Sequence, residues 1–186
     1  MTEKDPLFNQ DNLIWVDMEM TGLQPEVHRV IEVAAVITNA DLEVVHTCPV
    51  VAVHQADCEL AKMDAWNRET HSRSGLVGRV RESLLDEEAA TDVLLAEFAR
   101  FVPAGKSPMC GNTIGQDRRF MARWMPRLEA YFHYRSIDVS TIKELVRRWK
   151  PSVLNGVRKN TRHEALSDIL DSIEEMRYYR ENVMKM

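Results

Sequence analysis

The sequence predicts an α/β layered domain built on a mixed β-sheet. Residues 13–16 form a short, continuous apolar run between polar residues and Thr21-Gly22, which is typical of a strand buried on both faces. Residues 30–38 are rich in β-branched side chains and predict a second strand. Residues 87–102 carry apolar side chains at helical spacing, so strands come first and helices follow.

The remaining elements follow from local patterns. Residues 42–53 predict a third strand, joined to the second by a hairpin turn at 39–41. Helices are predicted at 59–70, 87–102, 117–125, 142–149 and 164–179, and short strands at 107–110 and 134–139. The order βββ-α-α-β-α-β-α-α, without repeats or linkers, predicts a single domain over residues 1–186. Its N-terminal segment, about residues 1–11, is expected to be flexible.

The charge balance limits the partners of the chain. It has 29 Asp and Glu residues against 24 Lys and Arg residues, for a formal charge of −5. This balance argues against coating long or duplex nucleic acid through many phosphate contacts, but it leaves room for a small, deep site. Three cysteines without CxxC spacing predict reduced thiols. The polar N-terminus and the absence of a long apolar run predict a cytoplasmic protein with no membrane segment.

Asp17 and Glu19 are the first side chains that suggest chemistry. They come at the end of the first predicted strand, and residues two apart on a strand point to the same face. Two acids on one partly buried face repel each other and lose hydration, so a positive partner is needed. A divalent cation with oxygen ligands would meet that need, and the alternative is a pair of exposed acids in a loop.

Two further acids each have a plainer alternative. Asp117 follows the turn 111–116 and stands at the start of a predicted helix, where Asp is a common N-cap. Asp168 lies far round its predicted helix from the apolar stripe, so it fits a solvated acidic face. That face would also include Asp171, Glu174 and Glu175.

Taken in order, these motifs resemble a known family. D-x-E-x-T-G, then G-N-x-x-x-x-D, then H-x-x-x-x-D resemble the 3′-to-5′ exonucleases that carry four acids and one histidine. The chain resembles the oligoribonucleases more closely still, over roughly residues 12–180. The matching blocks are 13–23, 61–66, 75–77, 115–120, 125–135 and 138–145. The resemblance implies a ribonuclease H-like three-layer fold, with a mixed central sheet flanked by helices.

The resemblance also assigns the catalytic centre. The four metal-binding acids of the family fall on Asp17, Glu19, Asp117 and Asp168, and its general base falls on His163. The implied cofactors are two divalent metal ions, Mg²⁺ or Mn²⁺, which oxygen ligands suit. An ordinary histidine pKa near 6.5 suits proton transfer at neutral pH.

The same resemblance implies a substrate site. Leu23 would be a wedge between two bases, while Trp66 and Tyr134 would stack on them. Tyr134 would reach the site of a partner subunit, which implies a homodimer. Arg135, Ser140 and Thr113 would bind the terminal phosphate, with His71 near this pocket. The plainer alternatives are core residues for Leu23 and Trp66, a buried sheet tyrosine for Tyr134 and a surface cation for Arg135.

The implied activity is hydrolysis of short oligoribonucleotides, dinucleotides above all, to mononucleotides at the end of RNA degradation. A ribonuclease T-like or proofreading exonuclease is the alternative enzyme, since it shares the acids and the histidine but acts on longer 3′ ends. A sensor that binds short nucleotides without turnover is the non-catalytic alternative. Two positions depart from the family pattern: Thr113 stands where relatives commonly have Ser, and Ser167 where they often have Asp.

Overall fold

The fold is described from a computed structural model that covers residues 5–157 and 164–184. A mixed six-stranded sheet lies at its centre, in the order β3-β2-β1-β5-β6, and β4 also pairs with β2. The strands are β1 (Leu13–Met20), β2 (Val30–Thr38), β3 (Val44–Thr47), β4 (Val51–Ala52), β5 (Met109–Gly111) and β6 (Ser136–Asp138). β1 pairs antiparallel with β2 and parallel with β5, which in turn pairs parallel with β6.

Helices cover both faces of this sheet. They are α1 (Asp57–Leu60), α2 (Ala65–Arg73), α3 (Leu76–Glu82), α4 (Glu87–Phe101), α5 (Gly115–Trp124), α6 (Pro126–Glu129), α7 (Val139–Trp149) and α8 (Ala165–Asn182). A short 3₁₀ helix (Pro151–Gly156) follows α7. The predicted three-layer α/β fold with a mixed sheet is therefore confirmed.

Strand alternation divides the core in two. The even-numbered β1 residues Ile14, Val16 and Met18 pack in one cluster with residues of α4, α5 and α6, such as Phe98 and Phe120. Trp15 points the other way and packs in a second cluster with residues of α7 and α8. The odd-numbered acids that follow Trp15 on β1 therefore lie on the α8 side of the sheet.

Two predicted elements are each divided in the structure. The predicted helix 59–70 is wrong as a single element, because α1 ends at Leu60 and a turn leads to α2. Asp64 caps α2 by accepting a hydrogen bond from the Asn67 amide at 2.8 Å. The predicted strand 42–53 is interrupted between β3 and β4, where Pro49 has no amide to donate to β2. Helix α3 was not predicted at all.

Within residues 5–157 and 164–184, every helix is too short or too polar to cross a bilayer.

Candidate active site

Three of the predicted acids converge at one end of the sheet. Asp17 and Glu19 extend from β1, and Asp168 lies in the first turn of α8. Each offers a carboxylate oxygen to a group in which all such atoms lie within 4.8 Å of one another. Strand periodicity on β1 and the packing of α8 across the sheet therefore bring together residues that are about 150 positions apart in sequence.

The register of β1 against β2 shapes this end of the sheet. Asp17 stands opposite Ala34, and Glu19 stands opposite Glu32. Ala34 is fully buried and small, so it leaves room beside the Asp17 carboxylate. Glu32 is also buried, and its carboxylate accepts a hydrogen bond from Arg79 Nη2 at 2.7 Å. Glu32 and Arg79 were not predicted as part of the site. The available signal was a single acidic residue, Glu32, within the β-branched segment 30–38.

Asp117 lies next to the group of three acids but is held differently. It is the third residue of α5, 6% exposed, and its Oδ1 accepts a hydrogen bond from the Met18 amide at 3.0 Å. The N-cap position of α5 is Ile114, so the alternative that Asp117 is a plain N-cap is wrong. Its hydrogen bond to β1, between the positions of Asp17 and Glu19, fixes this acid at the edge of the cluster.

Burial and mutual repulsion make these carboxylates hard to ionise. Loss of hydration, followed by repulsion from Asp168 and Glu32, raises the pKa of Glu19 to about 8. Burial and repulsion from the neighbouring acids raise the pKa of Asp17 well above its ordinary range. Burial also raises the pKa of Asp117 to about 7, although its backbone hydrogen bonds oppose the shift. Without a cation, the folded protein holds these acids at a cost in free energy.

His71 extends this group of polar side chains. It belongs to α2, is 3% exposed, and its Nε2 lies 4.0 Å from Glu19 Oε2. That nitrogen is buried and has no hydrogen-bond partner among residues 5–157 and 164–184. Burial lowers the pKa of His71, partly opposed by a hydrogen bond to the Met20 backbone. A buried, unpaired ring nitrogen facing a carboxylate cluster is suited to contact a ligand of the site.

The donor set fits divalent cations. Asp17, Glu19 and Asp168 supply oxygen ligands within one coordination distance of a common point, and Asp117 adds another carboxylate beside them. Their raised pKa values show that like charges are concentrated there, which a bound cation would offset. Hard oxygen donors favour Mg²⁺ or Mn²⁺ over softer metals.

The predicted stacking residues are all at the surface. Leu23, Trp66 and Tyr134 are 73%, 62% and 75% exposed, so the alternatives that place them in the core or inside the sheet are wrong. Leu23 lines a cavity of about 240 Å³ together with Asp64 and Asn67, the residues that flank Trp66 at the start of α2. Exposed apolar side chains are available to contact a ligand.

Two of the three predicted phosphate-binding residues, Thr113 and Ser140, bond to an acid that was not predicted. Asp138 Oδ1 accepts hydrogen bonds from the Thr113 amide at 2.9 Å and from the Ser140 hydroxyl at 2.6 Å. Thr113 has a positive φ of 61°, which is rare for a β-branched residue, and its bond to Asp138 holds it there. Arg135 is exposed, with its guanidinium carbon 5.4 Å from the Tyr134 ring centroid. The signal for Asp138 was the D-x-S pattern at the start of α7.

Two further predictions concern His163 and the acidic residues of α8. The predicted general base His163 lies outside the described residues. The solvated acidic face proposed as an alternative for α8 is wrong for Asp171 and Glu175, which are 9% and 2% exposed. Glu175 accepts a hydrogen bond from Tyr179 at 2.7 Å and forms an ion pair with Lys143. This side of α8 is therefore internal.

Comparison with known proteins defines the class first. Residues 14–176 match the RNase_T family, described as exonuclease. The fold resembles the zinc-bound exonuclease I–ssDNA complex of E. coli, with a TM-score of 0.75 at 15% identity over 94% of this chain and 41% of that chain. Exonuclease I without ligand gives a TM-score of 0.70 at 18% identity, over 93% and 42% of the two chains. The fold is thus the ribonuclease H-like fold that the sequence resemblance implied.

Relatives with higher identity define the family. The oligoribonucleases of Sodalis glossinidius (strain morsitans) and Bordetella pertussis (strain Tohama I) are each 58% identical over 178 residues, 96% of this chain and 98% of theirs. That of Vibrio cholerae serotype O1 is 57% identical over 179 residues, 96% of this chain and 99% of that protein. The chain belongs to the oligoribonuclease family within the exonucleases, and it is a 3′-to-5′ exoribonuclease.

Proposed function

We propose that this exoribonuclease acts on very short oligoribonucleotides, dinucleotides above all, and releases mononucleotides as the last step of RNA degradation. The observation that carries the proposal is the exposure of three large apolar side chains, Leu23, Trp66 and Tyr134, the last with the Arg135 guanidinium carbon 5.4 Å from its ring centroid. Stacking on aromatic side chains tolerates any base sequence, as a scavenger of mixed fragments requires. The net charge of −5 further disfavours binding to long RNA.

The proposed catalytic centre uses the four acids. Asp17, Glu19, Asp117 and Asp168 would hold two divalent ions, Mg²⁺ or Mn²⁺. When bound, such ions stabilise charge on the attacking and leaving oxygens of a phosphodiester and acidify water. The backbone bond from the Met18 amide to Asp117 keeps that carboxylate facing β1, so the acids stay in position between turnovers.

His163 is the proposed general base. One of its ring nitrogens would accept the proton of the attacking water as the new bond to phosphorus forms. The P–O bond to the remaining nucleotide then breaks, and that oxygen takes up a proton. His71 would contact the substrate near Glu19, since its buried Nε2 faces that carboxylate.

The proposed substrate contacts set the length of the RNA. Leu23 would insert between the two bases, with Trp66 and Tyr134 stacking on them. Arg135 would bind the terminal phosphate together with Thr113 and Ser140. Asp138 holds these two residues by accepting from the Thr113 backbone amide and from the Ser140 hydroxyl. A substrate that fits must place its terminal phosphate at Arg135 while its scissile phosphodiester lies at the acids. This requirement would give a preference for RNA of two nucleotides.

The main test is hydrolysis of a labelled two-nucleotide RNA in the presence of Mn²⁺ or Mg²⁺. We expect mononucleotide products from the wild type and none from Asp17→Ala. Absence of mononucleotides, or full activity of the Asp17→Ala variant, would contradict the proposal. Arg135→Ala should lose the dinucleotide preference, and full retention of the rate on dinucleotides would remove the role assigned to Arg135.

A homodimer with Tyr134 acting across the interface is also proposed. Its support is the 75% exposure of Tyr134 next to the edge strand β6, with its ring tilted by 32° against that of His133 at a centroid distance of 4.3 Å. Mixing Asp17→Ala with Tyr134→Ala protein should restore activity to about a quarter of the wild type, because half of random dimers then contain one intact site. Activity that stays at the mean of the two variants would rule out action across subunits.

We also propose that the protein works in the cytoplasm. Support comes from Cys48 and Cys110, which are buried free thiols.

A further inference from the structure

The segment that carries Tyr134 and Arg135 has few bonds of its own. It leads into the edge strand β6, which is three residues long and begins at Ser136. The His133 amide donates to the Ser107 carbonyl at 2.8 Å, and the Arg135 amide donates to His133 Nδ1 at 3.1 Å. The Arg135 carbonyl also accepts from the Met109 amide at 3.3 Å, whereas the carbonyls of His133 and Tyr134 have side-chain donors only among the described residues. Both Tyr134 and Arg135 are exposed, so packing of their own side chains in the core does not hold them.

One arginine supplies most of the remaining support. Arg118 Nη2 donates to the His133 carbonyl at 3.1 Å, and Nη1 lies 3.2 Å from the Tyr134 carbonyl and 3.3 Å from that of Arg135. Its Nε donates to Glu129 Oε1 at 2.8 Å, so a counter-charge on α6 fixes the orientation of the guanidinium. The side chain is 21% exposed. A rigid fork with several donors can hold three successive carbonyls together.

Arg118 follows Asp117 directly in the first turn of α5. Asp117 accepts from the Met18 amide, and the residue before it, Gln116, donates from Nε2 to the Leu23 carbonyl at 2.6 Å. Three consecutive residues therefore connect one helical turn to the Leu23 segment, to the strand with the acids and to the Tyr134–Arg135 segment. Their relative positions are set by the geometry of this turn.

We propose that Arg118 is a positioning residue that sets where Tyr134 and Arg135 stand relative to the carboxylate cluster, and hence which substrate length the enzyme prefers. The inference rests on the proposed function, because it needs Tyr134 and Arg135 to contact substrate. Arg118 itself lies behind that segment, bound to its carbonyls and to Glu129, and it acts through the backbone. Its loss lets the segment move while the acids keep their own contacts.

The test is a set of steady-state measurements on RNA of two, five and twenty nucleotides at saturating Mn²⁺. For Arg118→Ala we expect KM for the two-nucleotide substrate to rise about tenfold or more, with kcat within about threefold of the wild type. The preference for two over five nucleotides should shrink accordingly. Arg118→Lys keeps the positive charge but loses the planar guanidinium group with its several N–H donors. The KM of this variant should therefore lie between those of the wild type and Arg118→Ala.

Two controls separate positioning from stability and from metal binding. Arg123→Ala removes an exposed arginine of the same helix; the guanidinium carbon of Arg123 lies 5.1 Å from the centroid of the Trp124 ring. This variant should leave KM and the length preference unchanged. The Mn²⁺ concentration that gives half-maximal activity should be the same in Arg118→Ala and in the wild type. A rise in that concentration would overturn the inference, since it would trace the effect to Asp117.

The outcomes also distinguish this inference from the proposed function. If the wild type prefers two nucleotides and Arg135→Ala loses that preference, but Arg118→Ala and Arg118→Lys keep it, only the role of Arg118 is wrong. A uniform fall in kcat at every length with unchanged KM would overturn it as well. If the wild type shows no preference for two nucleotides, the proposed function fails and this inference fails with it.

Discussion

Glu19→Gln separates the demands of catalysis from those of folding. Glu19 lies in the group of acids with Asp17 and Asp168, and its side chain is 21% exposed. Glutamine has nearly the same shape but carries no charge. We therefore expect the variant to be inactive, because a carboxylate proposed to hold metal loses its charge, and yet more stable than the wild type when metal is removed.

The magnitude follows from the raised pKa of Glu19. With an ordinary value of 4.5 and a folded value of about 8, the unfolded chain releases its proton well before the folded protein does. Stability from this group is complete below pH 4.5 and is lost as the pH rises towards 8. The loss is about 1.4 kcal/mol by pH 5.5 and about 3 kcal/mol by pH 7.

The assay is urea unfolding at several pH values in the presence of a chelator. The free energy of unfolding of Glu19→Gln should exceed that of the wild type by about 3 kcal/mol at pH 7, with a smaller difference at pH 5.5. Adding Mn²⁺ at about 100 times its dissociation constant should stabilise the wild type by about 2.7 kcal/mol and the variant less. Glu26→Gln, at an exposed position in the next loop, is the matched control and should change neither curve.

A lower stability of Glu19→Gln than of the wild type at pH 7 without metal would refute this reasoning. So would a difference that does not grow between pH 5.5 and pH 7. Either result would mean that the acids are not held together against their mutual repulsion.

Two further predictions concern stacking and the core. Trp66→Ala should raise KM for a two-nucleotide RNA about 5- to 150-fold, because stacking contributes about 1–3 kcal/mol per base, while Trp66→Phe keeps most of the affinity. Since Trp66 is 62% exposed, the urea midpoint for unfolding of Trp66→Ala should stay close to that of the wild type. An unchanged KM in Trp66→Ala would exclude a contact between Trp66 and a base. Phe98→Ala should lower the free energy of unfolding by about 3–5 kcal/mol, because Phe98 is fully buried with rings of Tyr131 and Phe132 at 5.9 Å. A loss below about 1 kcal/mol in urea would show that this cluster is not a packed core.

Local periodicity was sufficient to predict the part of the site that lies on β1. A strand places Asp17 and Glu19 on one face whatever else the fold does, and the structure has them in a group with Asp168. The apolar run covers only residues 13–16, with the two acids predicted at the end of the strand, and pairing with β2 carries the strand on to Met20. That extension could not be seen locally, because acidic side chains are unfavourable in an isolated strand.

Tertiary contacts decided what local patterns could not. Asp117 has the local signature of an N-cap, and only the approach of the Met18 amide from a strand about 100 residues away distinguishes it. The helix predicted at 59–70 breaks because Asp64 caps a new helix, a choice that propensities alone leave open. The contacts of Arg118 had no sequence signal, since its acceptors are backbone carbonyls that every residue carries.

The most direct test of the central claim is the ratio of kcat/KM for RNA of two nucleotides to that for RNA of five and of twenty nucleotides. It is measured on the wild-type protein with the Mn²⁺ concentration held constant. The proposed substrate contacts predict the highest value at two nucleotides and a steep fall at five. Equal or rising values towards twenty nucleotides would contradict it and favour an exonuclease that trims longer 3′ ends.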